Sequence, residues 1–246
     1  MNTTLWPSGI RGAVSLSFDD ARRSQTINGL PLLGAHDVRA TFYVSVRQME
    51  QYLTAWHKAA GSGHEIGNHT LTHPCTGNFT WSRQNALEDY TLERMEKDEI
   101  LAANAAIEKL LGVRPVTFAY PCGQSFVGRG EGVRSYVPLI ARHFLAGRGF
   151  MGETTNSPSL CDLAQALAIG SDGCTFEQLK PWVDGAAERG EWLILAGHDI
   201  GEGGRQTTLA GELDKLCRYL KDPANGIWVD TVAAIGKHVK ERQTRG

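Results

Sequence analysis

The chain alternates between short apolar runs and longer amphipathic stretches, which predicts strands separated by helices. Residues 13–18 alternate apolar with small polar side chains, as the residues of a β-strand do. Residues 192–197 are almost entirely apolar, which is typical of a strand that is buried on both faces. Further short strands are predicted at residues 40–44, 65–68, 116–120, 143–146 and 227–229.

Helical sequence fills the intervals between these runs. The longest helical signal, at residues 81–111, places apolar side chains near one face and charged side chains on the other. Thr175 and Gln178 have the spacing of a capping box, which predicts a helix start. Residues 150–173 are rich in Thr, Asn, Ser, Pro and Gly, so we expect an irregular loop with one short strand. The other helices are predicted to end at residue 33 and to cover residues 48–60, 133–141, 175–189, 209–220 and 231–242.

Strands separated by helices indicate an α/β fold in which helices cover a parallel sheet. Chemically distinctive residues follow the predicted strands at their C-terminal ends, namely Asp19 and Asp20, His69, Pro121 and Cys122, and His198. In a barrel of parallel strands these ends converge on one mouth, where catalytic residues gather. A length of 246 residues suits one such barrel, so we expect a single domain over residues 1–246.

Composition excludes several classes of protein. The hydrophobic fraction of 41% and the charged fraction of 21% are ordinary for a globular domain. A net charge of -2 provides no basic field, so neither a nucleic acid nor a membrane surface is an expected partner. Residues 1–7 contain no basic segment followed by an apolar run, so we predict no secretory signal and a cytoplasmic location. Five irregularly spaced cysteines argue against a disulfide framework and against a thiolate zinc cluster.

The candidate chemistry centres on His69 and His73. If this segment is helical, the two imidazoles stack on one face, where they suit a divalent metal. Asp19 and Asp20 end the first strand and can add a carboxylate ligand. Each residue also has an ordinary explanation: the aspartates as a helix cap or turn, and the histidines as packed or solvated side chains. The combination of all four at strand ends favours a metal site.

Such a site has a definite use in hydrolysis. Two imidazoles and one carboxylate leave a position open at a zinc-like ion for water or substrate. One aspartate can bind the metal while its neighbour takes a proton from the water that the metal activates. His198 can then protonate the leaving amine. These roles predict a hydrolase that attacks an acyl carbonyl.

The motifs Ser17-Phe18-Asp19-Asp20 and His69-Thr70-x-x-His73, with a late strand ending in His198, resemble the polysaccharide deacetylases. This family is also known as the NodB-homology group, or carbohydrate esterase family 4. The resemblance extends from about residue 13 to the last helix. It implies a distorted (β/α) barrel of about seven strands and metal-dependent removal of acyl groups. By residue match it implies Asp19 as general base, His198 as general acid, and Asp20, His69 and His73 as metal ligands.

One segment departs from the family pattern. The third motif of the family has an Arg where this chain has Ala119, and an aromatic residue where it has Cys122. We predict that Arg148, at the end of the fifth strand, supplies the missing charge near Asp19 or contacts substrate. The fourth motif, an aspartate-rich segment with tryptophan, is not located. The predicted substrate-binding residues are Tyr120, Pro121, Cys122, Gly123 and Arg148.

The leading functional hypothesis is metal-dependent deacetylation of an N- or O-acetylated carbohydrate. Zinc suits the ligands best, and manganese, cobalt or nickel can also occupy such a site. The alternative is an amidohydrolase of the same fold that acts on a small cyclic amide, imide or formamide. A third possibility, a metal- or glycan-binding module without catalysis, conflicts with the complete set of candidate catalytic residues. The sequence predicts no oligomeric state.

Overall fold

The structure, a computed structural model, describes residues 5–244. Most of its strands coincide with the predicted apolar runs, and the runs at 192–197 and 227–229 agree at both ends. Within the described range the strands are β1 (Gly12–Asp19), β2 (Thr41–Val44), β3 (Glu65–Asn68), β4 (Thr117–Ala119), β5 (Phe126–Val127), β6 (Arg134–Ser135), β7 (Ala146–Arg148), β8 (Ile169–Gly170), β9 (Trp192–Gly197), β10 (Asp199–Gly201), β11 (Thr207–Leu209) and β12 (Ile227–Val229).

Seven parallel strands form a continuous row in the order β7-β4-β3-β2-β1-β9-β8. β12 pairs with the first half of β1, whose second half pairs with β2. The two edges meet through Ala166, which exchanges backbone hydrogen bonds with Gly147 (2.8 Å) and Gly149 (2.9 Å) just before β8. The sheet therefore curls round on itself, which confirms the predicted distorted (β/α) barrel.

The helices lie between the strands, as predicted, but two of them are interrupted. The helix expected over 48–60 is divided at Tyr52, whose backbone is not helical (φ −137°, ψ 38°). The helix expected from residue 81 begins at Leu92, and its middle, Met95–Leu101, is a π-helix. The capping box at Thr175 is present. The helices are α1 (Leu30–Ala35), α2 (Val46–Glu50), α3 (Leu53–Gly61), α4 (Leu92–Arg94), α5 (Ala102–Leu111), α6 (Val137–His143), α7 (Phe176–Arg189), α8 (Ala210–Lys221) and α9 (Val232–Gln243).

β1 shows how the barrel uses alternation. Val14, Leu16 and Phe18 belong to the apolar cluster beneath the helices. Successive side chains of a strand point to opposite faces, so Ser15 and Ser17 face the barrel interior. All eight residues of β1 are buried. The alternation therefore separates two buried environments, an apolar one under the helices and a more polar one inside the barrel, rather than core from solvent.

The interior polar groups find partners within the barrel. Ser15 Oγ accepts a hydrogen bond from Trp192 Nε1 (3.0 Å), and Ser17 donates to the Leu195 carbonyl (2.8 Å). A buried polar group without a partner is costly, so these bonds allow small polar residues to line a packed barrel.

The sequence predicted no secretory signal in residues 1–7 and no membrane partner. The prediction for residues 1–7 falls partly outside the described residues. Between residues 5 and 244, no helix combines the length and the apolar character needed to cross a membrane.

Candidate active site

The predicted site residues meet at the mouth of the barrel. Asp19 ends β1, His69 follows β3, and Arg148 ends β7. His198 follows β9 and lies close enough to Asp19 and Asp20 for their charges to affect its pKa. The C-terminal ends of parallel strands lie at one end of a barrel, so residues that are far apart in sequence share this cup.

The segment between His69 and His73 is not helical, so the condition under which the two imidazoles were expected to stack on one helical face is not met. Thr70 and His73 have positive φ values of 65° and 56°, so the segment is a loop. Side chains replace the helical hydrogen bonds: Asn68 Oδ1 accepts the Thr70 N–H (2.7 Å), and Thr70 Oγ1 accepts the His73 N–H (3.0 Å). This loop still brings the two rings together, with centroids 4.7 Å apart.

Asp20, His69 and His73 form a compact donor set. Asp20 Oδ1 lies 3.6 Å from His69 Nε2 and 3.5 Å from His73 Nε2, and one ligand atom from each residue lies within 4.8 Å of the others. His69 Nδ1 donates to the Ala119 carbonyl (2.9 Å), which leaves the Nε2 lone pair facing Asp20. Because two imidazole nitrogens and a carboxylate oxygen point at one place, these residues fit a divalent metal ion.

The protonation states of His73 and Asp20 are compatible with metal binding. Burial, reinforced by the nearby His69, lowers the pKa of His73 to about 4, so His73 is neutral near pH 7 and can act as a ligand. Burial alone would raise the pKa of Asp20, but His69, His73, His198 and Arg22 outweigh it and hold that pKa below its ordinary value. Arg22 bonds Asp20 Oδ2 through Nε (3.2 Å) and Nη2 (3.0 Å), which leaves Oδ1 for the histidine side.

Asp19 is paired with Arg148 inside the barrel. Arg148 Nη2 donates to Asp19 Oδ1, and its Nη1 donates to the Gly149 carbonyl (3.0 Å). The guanidinium carbon also lies 4.7 Å from the centre of the Tyr43 ring. The structure therefore places Arg148 beside Asp19, the position for which the sequence predicted a cation. A buried guanidinium in this place fixes the orientation of the aspartate through a charge-assisted hydrogen bond.

His198 is held by Asp172, a residue that the sequence analysis did not single out. His198 Nδ1 contacts Asp172 Oδ2 (2.6 Å), and the His198 backbone N–H donates to Asp172 Oδ1 (3.0 Å). Burial acts to lower the pKa of His198, but Asp172, Asp19 and Asp20 outweigh it and raise that pKa. Asp172 follows the short β8, whose position within the predicted loop 150–173 was not specified, so the sequence did not mark this acid as a strand-end residue.

Glu99 is a second residue that the sequence analysis missed. It is 2% exposed and lies in the π-helical segment Met95–Leu101. Its carboxylate accepts the backbone N–H groups of Leu71 (3.1 Å) and Thr72 (2.8 Å) and the hydroxyl of Tyr90 (2.7 Å). Glu99 thus holds the loop between the two histidines, and the local change of helix type occurs where a functional loop is supported. In a helical sequence with several glutamates, no local pattern distinguishes it.

The predicted substrate-binding segment after β4 is only partly accessible. The Tyr120 side chain is 2% exposed, and its hydroxyl donates to the Ala164 carbonyl (2.7 Å), so it packs inside the protein. Pro121 is buried, and Cys122 has a positive φ of 53°. Gly123 lies against the backbone of Phe150, where an added Cβ would approach the carbonyl oxygen to 3.1 Å. Within residues 120–123, only backbone groups and the half-buried Cys122 and Gly123 can contact a substrate.

Cys75 and Cys122 form a disulfide, which the irregular cysteine spacing did not predict. Their positions are 47 residues apart, but the fold brings their Cα atoms to 6.3 Å. Cys75 Sγ lies 3.8 Å from His73 Nδ1, so the disulfide joins the segment just after His73 to the turn after β4. Cys161, Cys174 and Cys217 are free.

We expect reduction of this disulfide to lower the free energy of unfolding by about 4 kcal/mol, because the cross-link restricts the unfolded chain over a long loop. Urea denaturation with and without dithiothreitol measures the change. The Cys75→Ser/Cys122→Ser variant serves as the control, since its midpoint should not respond to the reductant. Equal midpoints for the oxidised and reduced wild-type protein would contradict the expectation.

Comparison with known proteins identifies relatives of this chain. The family model described as polysaccharide deacetylase matches residues 8–127, which include Asp20, His69 and His73. A peptidoglycan-N-acetylglucosamine deacetylase of Bacillus cereus is 31% identical over 127 residues, which are 52% of this chain and 42% of the relative. The uncharacterized protein YlxY of Bacillus subtilis is 35% identical over 94 residues, which are 38% of this chain and 26% of the relative. The chain thus spans less than half the length of either curated relative.

A solved structure extends the likeness to almost the whole chain. A protein of Mycobacterium smegmatis that is assigned as a polysaccharide deacetylase superposes with a TM-score of 0.67. The superposition covers 97% of this chain and 93% of the other chain, at 17% sequence identity. At this sequence identity the superposition is evidence for the fold alone. The two proteins share the barrel fold over nearly the whole chain, including the residues after 127 that the family model does not match.

Proposed function

Because the polysaccharide deacetylase family model matches residues 8–127, we propose that the chain is a metal-dependent hydrolase that removes acetyl groups from an N- or O-acetylated carbohydrate. The observation that carries this proposal is the geometry of the barrel mouth. Three metal-ligand atoms converge there, with a buried Asp19–Arg148 pair and a His198–Asp172 pair nearby. Such an arrangement provides a base, an acid and a cation site around one substrate position.

Asp20, His69 and His73 would hold the metal. Zinc suits two imidazoles and a carboxylate, while manganese, cobalt or nickel are also compatible with these ligands. When bound, a divalent cation acidifies a water molecule and polarises an acyl oxygen. The Ala119 carbonyl holds His69 in the tautomer that this task requires, and the Glu99 carboxylate fixes the backbone between the two histidines.

Asp19 is the proposed general base. It accepts the proton of the attacking water, and Arg148 holds its carboxylate in position through the hydrogen bond to Oδ1. His198 is the proposed general acid. It donates a proton to the leaving nitrogen or oxygen as the bond to the acyl carbon breaks, and Asp172 orients the ring through Nδ1 so that Nε2 is free for the transfer.

We expect the Asp172→Asn variant to move the alkaline limb of the kcat/KM profile to lower pH. Asp172 raises the pKa of His198, and the acid must be protonated to act, so activity falls as the pH rises through that pKa. Without the Asp172 carboxylate the pKa of His198 falls, so kcat/KM begins to decline at a lower pH. Steady-state rates measured across pH give the profile.

The matched control is Asp199→Asn. Asp199 is adjacent to His198 in sequence, but its carboxylate bonds Arg22 (2.6 Å) and Ser24 (2.6 Å) instead of the imidazole. The alkaline limb of this variant should remain where it is in the wild-type protein. An unshifted limb in Asp172→Asn would remove His198 from the role of general acid.

The substrate class separates this proposal from the alternative hydrolase of small cyclic amides, imides or formamides. The relatives described above favour a carbohydrate and give no support to that alternative. A mixed panel of acetylated sugars, formamides and cyclic imides tests the choice directly. Release of acetate from sugars supports the deacetylase, whereas formate release or ring opening without acetate release overturns it.

The cellular compartment stays a prediction. The Cys75–Cys122 disulfide is more typical of an oxidising compartment than of the cytoplasm that residues 1–7 predict. Detection of the disulfide in protein isolated from its native source, by mass spectrometry under alkylating conditions, would decide between the two.

A further inference from the structure

Two aromatic side chains project into solvent beside the metal-ligand residues. Phe79 is 43% exposed and Trp81 is 62% exposed, and their rings stack with centroids 5.3 Å apart and planes at 19°. The Trp81 ring lies 5.8 Å from the ring of His73, centre to centre. Large apolar groups that are exposed together next to a candidate active site indicate a ligand-binding surface.

A cleft lies beside the same loop, since Thr76 forms part of its wall. It has a volume of about 320 Å³ and lies between the segment that contains Thr76 and Glu88 and the strand β5 with the residues before it. Gln124 and the 56% exposed Phe126 line it. Phe79, Trp81 and Phe126 are the exposed large aromatic residues in the described part of the chain, and all three lie on or beside this loop.

Hydrogen bonds and a disulfide hold the loop of residues 74–82, which carries the Phe79 and Trp81 rings. Ser82 Oγ accepts the Cys75 N–H (3.0 Å) and donates to the Cys75 carbonyl (2.8 Å). The Thr76 N–H donates to Gln124 Oε1 (2.8 Å), the Gly77 N–H donates to a Glu88 oxygen (3.0 Å), and the disulfide fixes Cys75. The rings are therefore exposed on a pre-ordered support, which reduces the entropy lost when a ligand binds.

The chemistry of the loop favours a neutral ligand. Residues 74–82 carry no charged side chain, and their polar side chains are hydroxyls and one amide. A pyranose ring has a face of C–H groups that packs on an aromatic ring and a rim of hydroxyls that bond amides and hydroxyls. A polyanion or a charged peptide would find no counter-charge on this segment.

We propose that Phe79 and Trp81 form a stacking subsite for one pyranose ring of a glycan chain, next to the sugar that loses its acyl group at the barrel mouth. This inference rests on the proposed function and deepens it, because it predicts a polymeric or oligomeric substrate. The free energy of binding a remote sugar can lower the activation barrier at the acyl group. A longer glycan chain should therefore be turned over faster and bound more tightly.

The test compares two substrates in two variants. Trp81→Ala should lower kcat/KM about 10-fold on a β-1,4-linked tetramer of N-acetylglucosamine, and much less on the monosaccharide, since the monosaccharide does not reach the subsite. Phe79→Ala should have a smaller effect of the same kind. Val116→Ala is the control, because Val116 is also exposed but precedes β4 at the opposite end of the barrel. Circular dichroism establishes that each variant is folded.

A binding measurement keeps the subsite separate from the catalytic proposal. Titration with the β-1,4-linked tetramer of glucose, which is uncharged and carries no acyl group, does not depend on turnover and is followed by tryptophan fluorescence and calorimetry. Binding by the wild-type protein that Trp81→Ala weakens supports the subsite, even if no acetate is released from any sugar. Equal losses on tetramer and monosaccharide, or unchanged tetramer binding in Trp81→Ala, overturn it. Sedimentation showing a dimer that Trp81→Ala dissociates also overturns it, since the surface would then be a protein interface.

Discussion

The Asp19→Asn variant should lose about 10²–10⁴-fold in kcat while it retains its divalent metal. The substitution removes the group that accepts the proton from water and leaves Asp20, His69 and His73 in place. Steady-state kinetics and metal analysis of the dialysed protein measure both quantities. Retained turnover would exclude Asp19 as the base, and loss of metal would mean that the roles of Asp19 and Asp20 are exchanged.

A second variant separates chemistry from stability in this experiment. Asp19→Asn leaves the buried Arg148 guanidinium without its carboxylate partner, and an uncompensated buried charge destabilises a protein by about 3–5 kcal/mol. The double variant Asp19→Asn/Arg148→Met removes the charge as well as the carboxylate. It should recover thermal stability but not turnover, and recovery of turnover would show that the loss came from misfolding.

The His69→Ala variant should lose metal and activity together. It removes one of three converging ligand atoms, and even residues that only support metal ligands typically contribute about 10–100-fold to affinity, so a larger loss is expected here. Calorimetric titration of the metal-free protein with Zn²⁺, and acetate release at saturating metal, measure the effect. An active variant without metal would remove this cluster from the mechanism.

Two other histidines provide controls for that result. His57→Ala changes an exposed imidazole on α3 and should leave both metal binding and turnover unchanged. His198→Ala should keep the metal and lose turnover, because its imidazole is bonded to Asp172 and its proposed role is proton transfer. The contrast between His69 and His198 therefore distinguishes a ligand from an acid.

Local pattern was sufficient for most of the fold. The alternation in β1 and the apolar run of β9 each reflect a side-chain period that is a property of the backbone, so they can be read without knowledge of the rest of the chain. The interrupted helices were harder to predict. Trp81 lies at the start of the segment that was expected to be helical, and Phe79 lies just before it. The positions of both rings follow from the loop bonds around Cys75 and Ser82.

Candidate ligands were accessible from the sequence because each is a chemically distinctive residue at the end of a strand. The residues that pair with them could not be predicted from local sequence, because two residues pair only when the fold brings them close together. Asp19 and Arg148 are 129 residues apart, Asp172 and His198 are 26 apart, and Cys75 and Cys122 are 47 apart. Arg148 was anticipated only because the family resemblance showed that a cation was missing.

The sequence by itself determined the order of strands and helices, the barrel class, and the acids and imidazoles that the strand ends present. The periodicity of side chains and the residue types carry that information locally. The tertiary structure alone decided that a loop, rather than a helical turn, brings His69 and His73 together, and that Asp172, Glu99 and a disulfide hold the site in place. These choices depend on closing the barrel, because only closure brings buried polar groups from distant strands within bonding distance and leaves them no solvent to bond instead.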